Sequence, residues 1–519
     1  MATASCTPAT DAPVEPTTPY AQLIDLIKQA DLLGSTVSLL GWDQETMMPN
    51  QGLAFRSEQL AQLARLHHDQ VTSPRIGEQL EACEADRALM ADPRSVAAVN
   101  VRETRREYER ATKLPADLVA ELAKTTSLAR HEWAEARRDS DFARFLPWLE
   151  KIVALTRRKA ECFGWAPGGE PWDALAEDYE PSCTAAEVQS VFAPLRDRLG
   201  ALISDLTASS TKPTNDFNER TLPIEQQERF VRFVSEQIGF DYSRGRLDRS
   251  THPFCSGTHC HDVRLTTRFR DDNVLDALGS TMHESGHGIY EQGLPAEHIG
   301  TPMGRYISPG IHESQSRMWE NQVGRSRAFW QWCHPKLAEY FGPAVGSFTL
   351  DEVYGAANIV RPDFIRVEAD EATYNMHVMI RFEIERVLMT GELAPADLPG
   401  EWNAKYKEYL GLDVPDDRRG CLQDVHWSMG SIGYFPTYTL GNLYAAQFFD
   451  KALEDVPDLY QQFARGEFGA LKTWLIENVH RHGRRYRAAE LCEHVTGKPL
   501  TADPLMRHLE RKLRPMYGL

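Results

Sequence analysis

Residues 281–293 read TMHESGHGIYEQG, and within them His283, Glu284 and His287 form an H-E-x-x-H pattern. Side chains four apart on a helix lie one turn apart on one face, so both imidazoles can meet a single divalent ion. Glu284 stands beside His283 and can reach a water held on that ion. The chemistry of this set is hydrolysis: zinc brings the pKa of a bound water to roughly 7, and the glutamate takes its proton as general base. A catalytic zinc needs a third protein ligand and one open position. The segment IHESQSRMWEN offers Glu313, 26 residues beyond His287, for a His2Glu site, with His312 as the rival. Only one of two adjacent helical residues can face the ion, and spacing alone leaves the choice between them open.

The five-residue motif also arises by chance in unrelated proteins, where HESGH would be structural, as in a helical interaction protein. What favours a metal site is its frame. Val274 to Met282 has helical character, and a second helix is expected from Ile311, after Pro309-Gly310. Arg317, four residues after Glu313 on that second helix, would steady its carboxylate. Asp370 or Asp424 would accept the outer N–H of a metal-bound imidazole. Cys255, His259, Cys260 and His261 also carry metal-capable side chains, but their spacing matches no standard zinc pattern.

The elements that must position these residues read as mostly helical. Leu23, Ile24, Ile27 and Leu32 make an early apolar stripe. Leu118, Val119 and Leu122 follow Pro115 at helical spacing, and Ile224, Phe230, Phe233, Val234 and Ile238 follow Pro223. One segment alternates as a strand does, with Val263, Leu265, Thr267 and Phe269 on one face and Arg264, Thr266 and Arg268 on the other. A second strand is expected at Phe364–Val367. The fold class is therefore mainly α, with a small β-sheet near the middle of the chain. Residues 1–18, rich in Thr, Pro and Ala, read as a disordered tail, and 19–519 as a single unit without internal repeats.

The formal net charge of −18 disfavours nucleic acid and anionic membrane surfaces as partners. The nine cysteines are odd in number and form no CxxC, which suits a reduced, cytoplasmic protein. The N-terminus has neither the charge order of a secretory signal nor the arginines of a transit peptide, and no stretch is apolar enough to span a bilayer.

The zinc motif and several other segments together resemble the M32 metallocarboxypeptidases, the carboxypeptidase Taq family. The matching segments are WDQETMMP (42–49), HPF (252–254), DVRLT (262–266), HESGH (283–287), HESQSR (312–317), IRVEAD (365–370), GCLQDVHW (420–427) and GYFPTY (433–438), in the family's order from about Tyr20 to the C-terminus. The resemblance implies a large helical metallopeptidase fold with a deep substrate groove, a homodimer, and release of C-terminal residues from peptides. It makes Glu313 the third ligand of a zinc ion, for which cobalt or manganese could substitute. It makes Arg366 the receptor of the substrate's terminal carboxylate. His426 and Tyr434 become groove residues that contact substrate or stabilise an oxyanion. The SGTHCHD stretch before Val263 and the N-terminal tail depart from the family's pattern.

Each of these residues also has a plainer reading. Arg366 precedes Glu368 and Asp370, with which it could form an internal ion pair. Tyr434 and Tyr438 could be core aromatics, although Gly430, Gly433 and Pro436 around Tyr434 suggest a loop. Trp42 and Trp427 read as core. An endo-acting zinc oligopeptidase with the same metal chemistry is the alternative activity, separated from an exopeptidase by what Arg366 recognises.

Overall fold

The computed structural model describes residues 17–519, so the expected N-terminal tail lies outside the described residues up to position 16. Thr18 accepts a hydrogen bond from the Ala21 amide and caps the first helix, Pro19–Thr46. Helices then dominate, as the apolar periodicity predicts. Pro115 and Pro223 stand at the cap positions of helices Ala116–Asp139 and Ile224–Gln237. The early stripe is shorter than expected: Leu23 and Ile27 are buried, but Leu32 is 68% exposed. Five residues carry Leu32 about 140° around the helix from Ile27, off the buried face.

The sheet has three strands, β1 (Gly245–Arg249), β2 (Cys255–His259) and β3 (Asp262–Thr267), in the order β1-β3-β2. β3 is central, parallel to β1 and antiparallel to β2, with Val263 opposite Gly245 on one side and Gly257 on the other. Val263, Leu265 and Thr267 are buried, as the alternation requires. Thr266, expected on the polar face, is buried too, because the HPF segment folds over it and the Phe254 amide donates to its hydroxyl at 2.9 Å. The strand expected at Phe364–Val367 does not form. Asp370 accepts the backbone N–H of Arg361, Ala372 and Thr373, which draws the segment into a loop with a short 3-10 turn at Arg366–Glu368.

One large apolar core runs from Ala129 to Tyr517 and contains β3 and the helix carrying the H-E-x-x-H motif. A smaller one joins Leu23 and Ile27 to Ile76, Leu80, Cys83 and Val101 among the N-terminal helices. Trp42 is buried apart from both, its ring between the guanidinium groups of Arg246 on β1 and Arg264 on β3, at 4.8 and 4.4 Å.

Candidate metal centre

The motif helix spans Val274–Gly293 and is capped by Asn273, whose side chain accepts from the Asp276 amide. Two glycines let it pack on both sides. Positions 286 and 288 lie about 200° apart around a helix and so face nearly opposite ways. A Cβ on Gly286 would lie 2.6 Å from the Gln315 carbonyl oxygen and the Ser316 Cα. One on Gly288 would lie 2.7 Å from the Phe240 ring and 2.8 Å from Leu265 of β3. The motif helix is thus held between the sheet and the helix bearing Glu313.

That second helix, Pro309–Arg317, starts two residues before the expected Ile311, because Ser308 caps it and Pro309 takes the first helical position, and it continues into a π-helical stretch, Met318–Gly324. It brings Glu313 Oε2 to 3.6 Å from His283 Nε2 and 3.5 Å from His287 Nε2. The ligand atoms of the three residues all lie within 4.8 Å of one another. Tetrahedral bonds of about 2.0–2.2 Å place neighbouring ligand atoms roughly 3.3–3.6 Å apart, so these donors fit a single small divalent ion. His312 takes no place in this triangle.

Around the triangle the carboxylates are sorted by charge. Arg317 Nε donates to Glu313 Oε1 at 2.7 Å, the contact expected from their spacing. Burial works against the charge of Glu313, but Arg317, His283 and His287 hold its carboxyl well below the usual range. The outer face of His283 meets Glu320 on the π-helical stretch, Nδ1 to Oε2 at 2.9 Å, and Glu320 is itself bonded by Arg317 and Arg325. Although burial opposes its charge, Arg317 and His283 bring Glu320 down to about 2. The outer face of His287 meets His312, Nδ1 to Nδ1 at 2.5 Å, and His312 Nε2 lies 2.7 Å from Glu291. Asp370 and Asp424 are therefore not the outer partners of the imidazoles. Asp370 is occupied by backbone amides and Asp424 by two arginines.

Glu284 is buried beside His283, and burial pushes its carboxyl up to about 7. His283 and Arg317 oppose that rise, while Glu313 and Glu320 add to it. A buried carboxylate beside a metal triangle stands where it can accept a proton from a water held there.

Arg366, His426 and Tyr434 form a second group. Arg366 is buried and pairs with Asp424, not with Glu368 or Asp370: Nε and Nη2 both reach Oδ1, at 3.0 and 2.9 Å. Arg381 Nε binds the other oxygen of Asp424 at 2.7 Å. Arg366 Nη1 donates to the Tyr374 hydroxyl at 2.8 Å, and the Tyr374 ring lies 4.4 Å from the Arg317 guanidinium. Tyr374, which sequence reasoning passed over, thus joins the two groups. His426 Nε2 is 3.4 Å from the Tyr438 hydroxyl, and its Nδ1 is buried without a partner. Burial, then Arg366, lowers the His426 ring to about 4. Burial raises the Tyr434 phenol, and Glu313 adds to that rise. Trp427 is core, its indole donating to Glu385.

Glu320 and Glu291 also went unread, although spacing held a signal for both. Glu320 lies seven residues past Glu313, about two turns on, and Glu291 lies four past His287.

This combination of a helical body, a small mixed sheet and a His2Glu triangle held on two closely packed helices is a candidate divalent-metal centre, the kind of site a metal-dependent hydrolase needs. A family model described as Carboxypeptidase Taq (M32) metallopeptidase matches residues 22–513. Thermostable carboxypeptidase 1 of Thermus thermophilus is 45% identical over 97% of this chain and 100% of its own length. Carboxypeptidase 1 of Bacillus subtilis is 37% identical, over 96% of this chain and 98% of its own. The crystal structure of an M32 carboxypeptidase from Deinococcus radiodurans R1 superposes with a TM-score of 0.92 at 41% identity, covering 96% of this chain and all of that one. The chain belongs to the M32 family of metallocarboxypeptidases and is a peptide hydrolase that uses a divalent metal.

Proposed function

We propose that this chain is a zinc carboxypeptidase in which His283, His287 and Glu313 hold the ion and Glu284 is the general base. The observation that carries this reading is the triangle of His283, His287 and Glu313 donors with Glu284 buried beside it. When bound, the ion supplies Lewis acidity, making water a nucleophile near neutral pH and polarising the carbonyl under attack. Glu284 accepts the attacking water's proton and returns it to the leaving amine. Arg317 and Glu320 keep Glu313 and His283 oriented. Tyr434 and His426 face the substrate, and a donor of this kind aimed at an oxyanion is worth about 10²–10³ in rate. A His2Glu set also accepts cobalt or manganese.

Exopeptidase specificity rests on Arg366. Asp424 carries one negative charge and is shared by two arginines, so the Arg366–Asp424–Arg381 cluster keeps one positive charge in excess. Arg381 is fully buried, whereas Arg366 keeps 5% of its surface exposed, which makes Arg366 the member of the cluster able to meet a substrate carboxylate. The membership of the family further supports a homodimer. No helix among the described residues is long and apolar enough to cross a membrane, and the described cysteines are all unpaired, which supports a cytoplasmic site of action.

Paired peptides that differ only in a free or amidated C-terminus test the reading, assayed with and without chelator. The free acid is hydrolysed from its end, the amide is not, and chelation stops hydrolysis of the free acid. Cleavage of the amide at internal bonds would make the protein an endo-acting oligopeptidase. Glu284→Gln is expected to keep its metal and lose nearly all turnover, and Arg366→Ala to raise KM for free-acid peptides alone. Full activity of Glu284→Gln would remove the general base from this scheme.

A further inference from the structure

Away from the metal centre, a cavity of about 440 Å³ opens between the C-terminal end of the motif helix and the segment 480–487. It is lined by Glu297, His298, Met303, Arg481, His482 and Arg485, together with backbone around Leu294. This volume lies in the range of small-molecule sites, which begins at about 300 Å³. We infer that the cavity is a binding site for a phosphate group carried by a small organic molecule. The inference stands apart from the peptidase reading and uses none of its residues.

The segment HRHGRRYR holds four arginines, and the fold treats them in two ways. Arg484 turns to Glu107 and Arg487 to Glu103 as ion pairs. Arg481 and Arg485 line the cavity, and neither has a carboxylate partner among the described residues. Arg485 spends Nη1 on the Arg94 carbonyl at 2.9 Å, while its Nε is buried with no hydrogen-bond partner. Arg481 and Arg485 thus bring two guanidinium groups without a carboxylate partner to one concavity, and an oxyanion answers that charge. Arg94, also without a carboxylate partner, stands over the Tyr486 ring at 5.1 Å and adds to the positive potential. The only acid lining the cavity is Glu297, exposed at its edge. In a chain of net charge −18, such a concavity concentrates anions where the rest of the surface repels them.

The site is held by backbone. Gly483 has φ of 49° and ψ of −137°, a kink that sets the side chains of residues 481–482 and 485 around one space. A Cβ there would lie 1.9 Å from the Met303 carbonyl oxygen, so the segment is wedged against the cavity's far wall and no other residue fits. His480, at the start of the segment, is buried and bonded to Gln315. The His482 ring is lowered to about 4 by burial, then by His494, Arg485 and Arg481.

Calorimetric titration of the metal-loaded protein tests this, using inorganic phosphate and glycerol 3-phosphate at an ionic strength fixed with sodium chloride. Glycerol 3-phosphate is expected to bind saturably and more tightly than inorganic phosphate. Each of Arg481→Gln and Arg485→Gln should weaken binding about tenfold or more, the loss of a charge-assisted pair, while peptide hydrolysis stays unchanged. The His482 titration, followed by NMR, should move up on saturation, because an adjacent anion favours the imidazolium. Three outcomes would overturn the inference. They are no binding of the organic phosphate, undiminished binding in the exposed Arg481→Gln variant, or a His482 titration unmoved at saturation.

Discussion

An imidazole that coordinates through Nε2 must carry its proton on Nδ1, so whatever faces Nδ1 has to accept. For His283 that acceptor is Glu320, a carboxylate tied to Arg317 and Arg325. For His287 it is another imidazole. His312 Nδ1 must then be bare and its Nε2 protonated, which is the tautomer that Glu291 selects by accepting from Nε2 at 2.7 Å. His312, read from the sequence as a rival ligand, thus fixes the orientation of a ligand. His312→Phe removes the acceptor, and metal affinity, measured by chelator competition, should fall about 10–100-fold. Glu291→Gln should cause a smaller loss, and the two changes together little more than His312→Phe alone, because both act through one chain of hydrogen bonds. Additive losses would mean that Glu291 acts on the metal by a route other than His312.

Two helices must cross closely enough for Glu313 to reach both imidazoles, and small residues allow it. Gly286 admits the Gln315–Ser316 backbone from one side, and Gly441 on the helix Pro436–Asp455 admits Glu313 from the other, where a Cβ would lie 2.6 Å from the Glu313 Cβ and Cγ. Gly441→Ala should therefore displace the third ligand. Metal affinity is expected to drop, with a stability loss of about 1–3 kcal/mol from overpacking, read by chelator competition and by urea unfolding of the metal-free protein. Unchanged affinity would show that Glu313 can shift without leaving the triangle. This scale also shows why some features were legible in sequence and others were not. The motif helix, the helix after Pro309 and the alternation of β3 are local patterns, written in spacings of four and two. The Asp424 bridge between Arg366 and Arg381 spans 58 and 43 residues of chain, and no local period announces it. The strand expected at Phe364–Val367 failed for a related reason: its apolar run was real, but the backbone bonds gathered by Asp370 outweighed it.

Across the whole molecule, buried carboxylates divide into two kinds with opposite pH signatures. Glu313, Glu320, Glu371 and Asp424 face cations, which hold their carboxyls low against the opposing effect of burial. The stability they contribute is present above their unfolded values and is lost as pH falls through the folded ones. Glu180 and Glu385 are bonded largely by neutral donors. Glu180 accepts the Gly310 amide at the start of the ligand helix, and Glu385 accepts from Trp172, Trp427 and the Gly433 amide beside Tyr434. Burial pushes each up to about 7 from an ordinary value of 4.5. Between these limits the folded state binds more protons than the unfolded state, so this contribution to stability is full below pH 4.5 and declines as pH rises toward 7. At 1.36 kcal/mol per unit the decline is on the order of 3 kcal/mol for each group. Glu385→Gln and Glu180→Gln have no such proton to lose. Urea midpoints of the metal-free proteins at pH 4.5, 6 and 7.5 should therefore show each variant least stable relative to the parent at pH 4.5 and gaining on it as pH rises. The cation-paired carboxylates are common to parent and variant and cancel in this difference. Parallel curves would mean that Glu180 and Glu385 stay ionised in the folded protein, with their neutral donors alone sufficient to hold the charge.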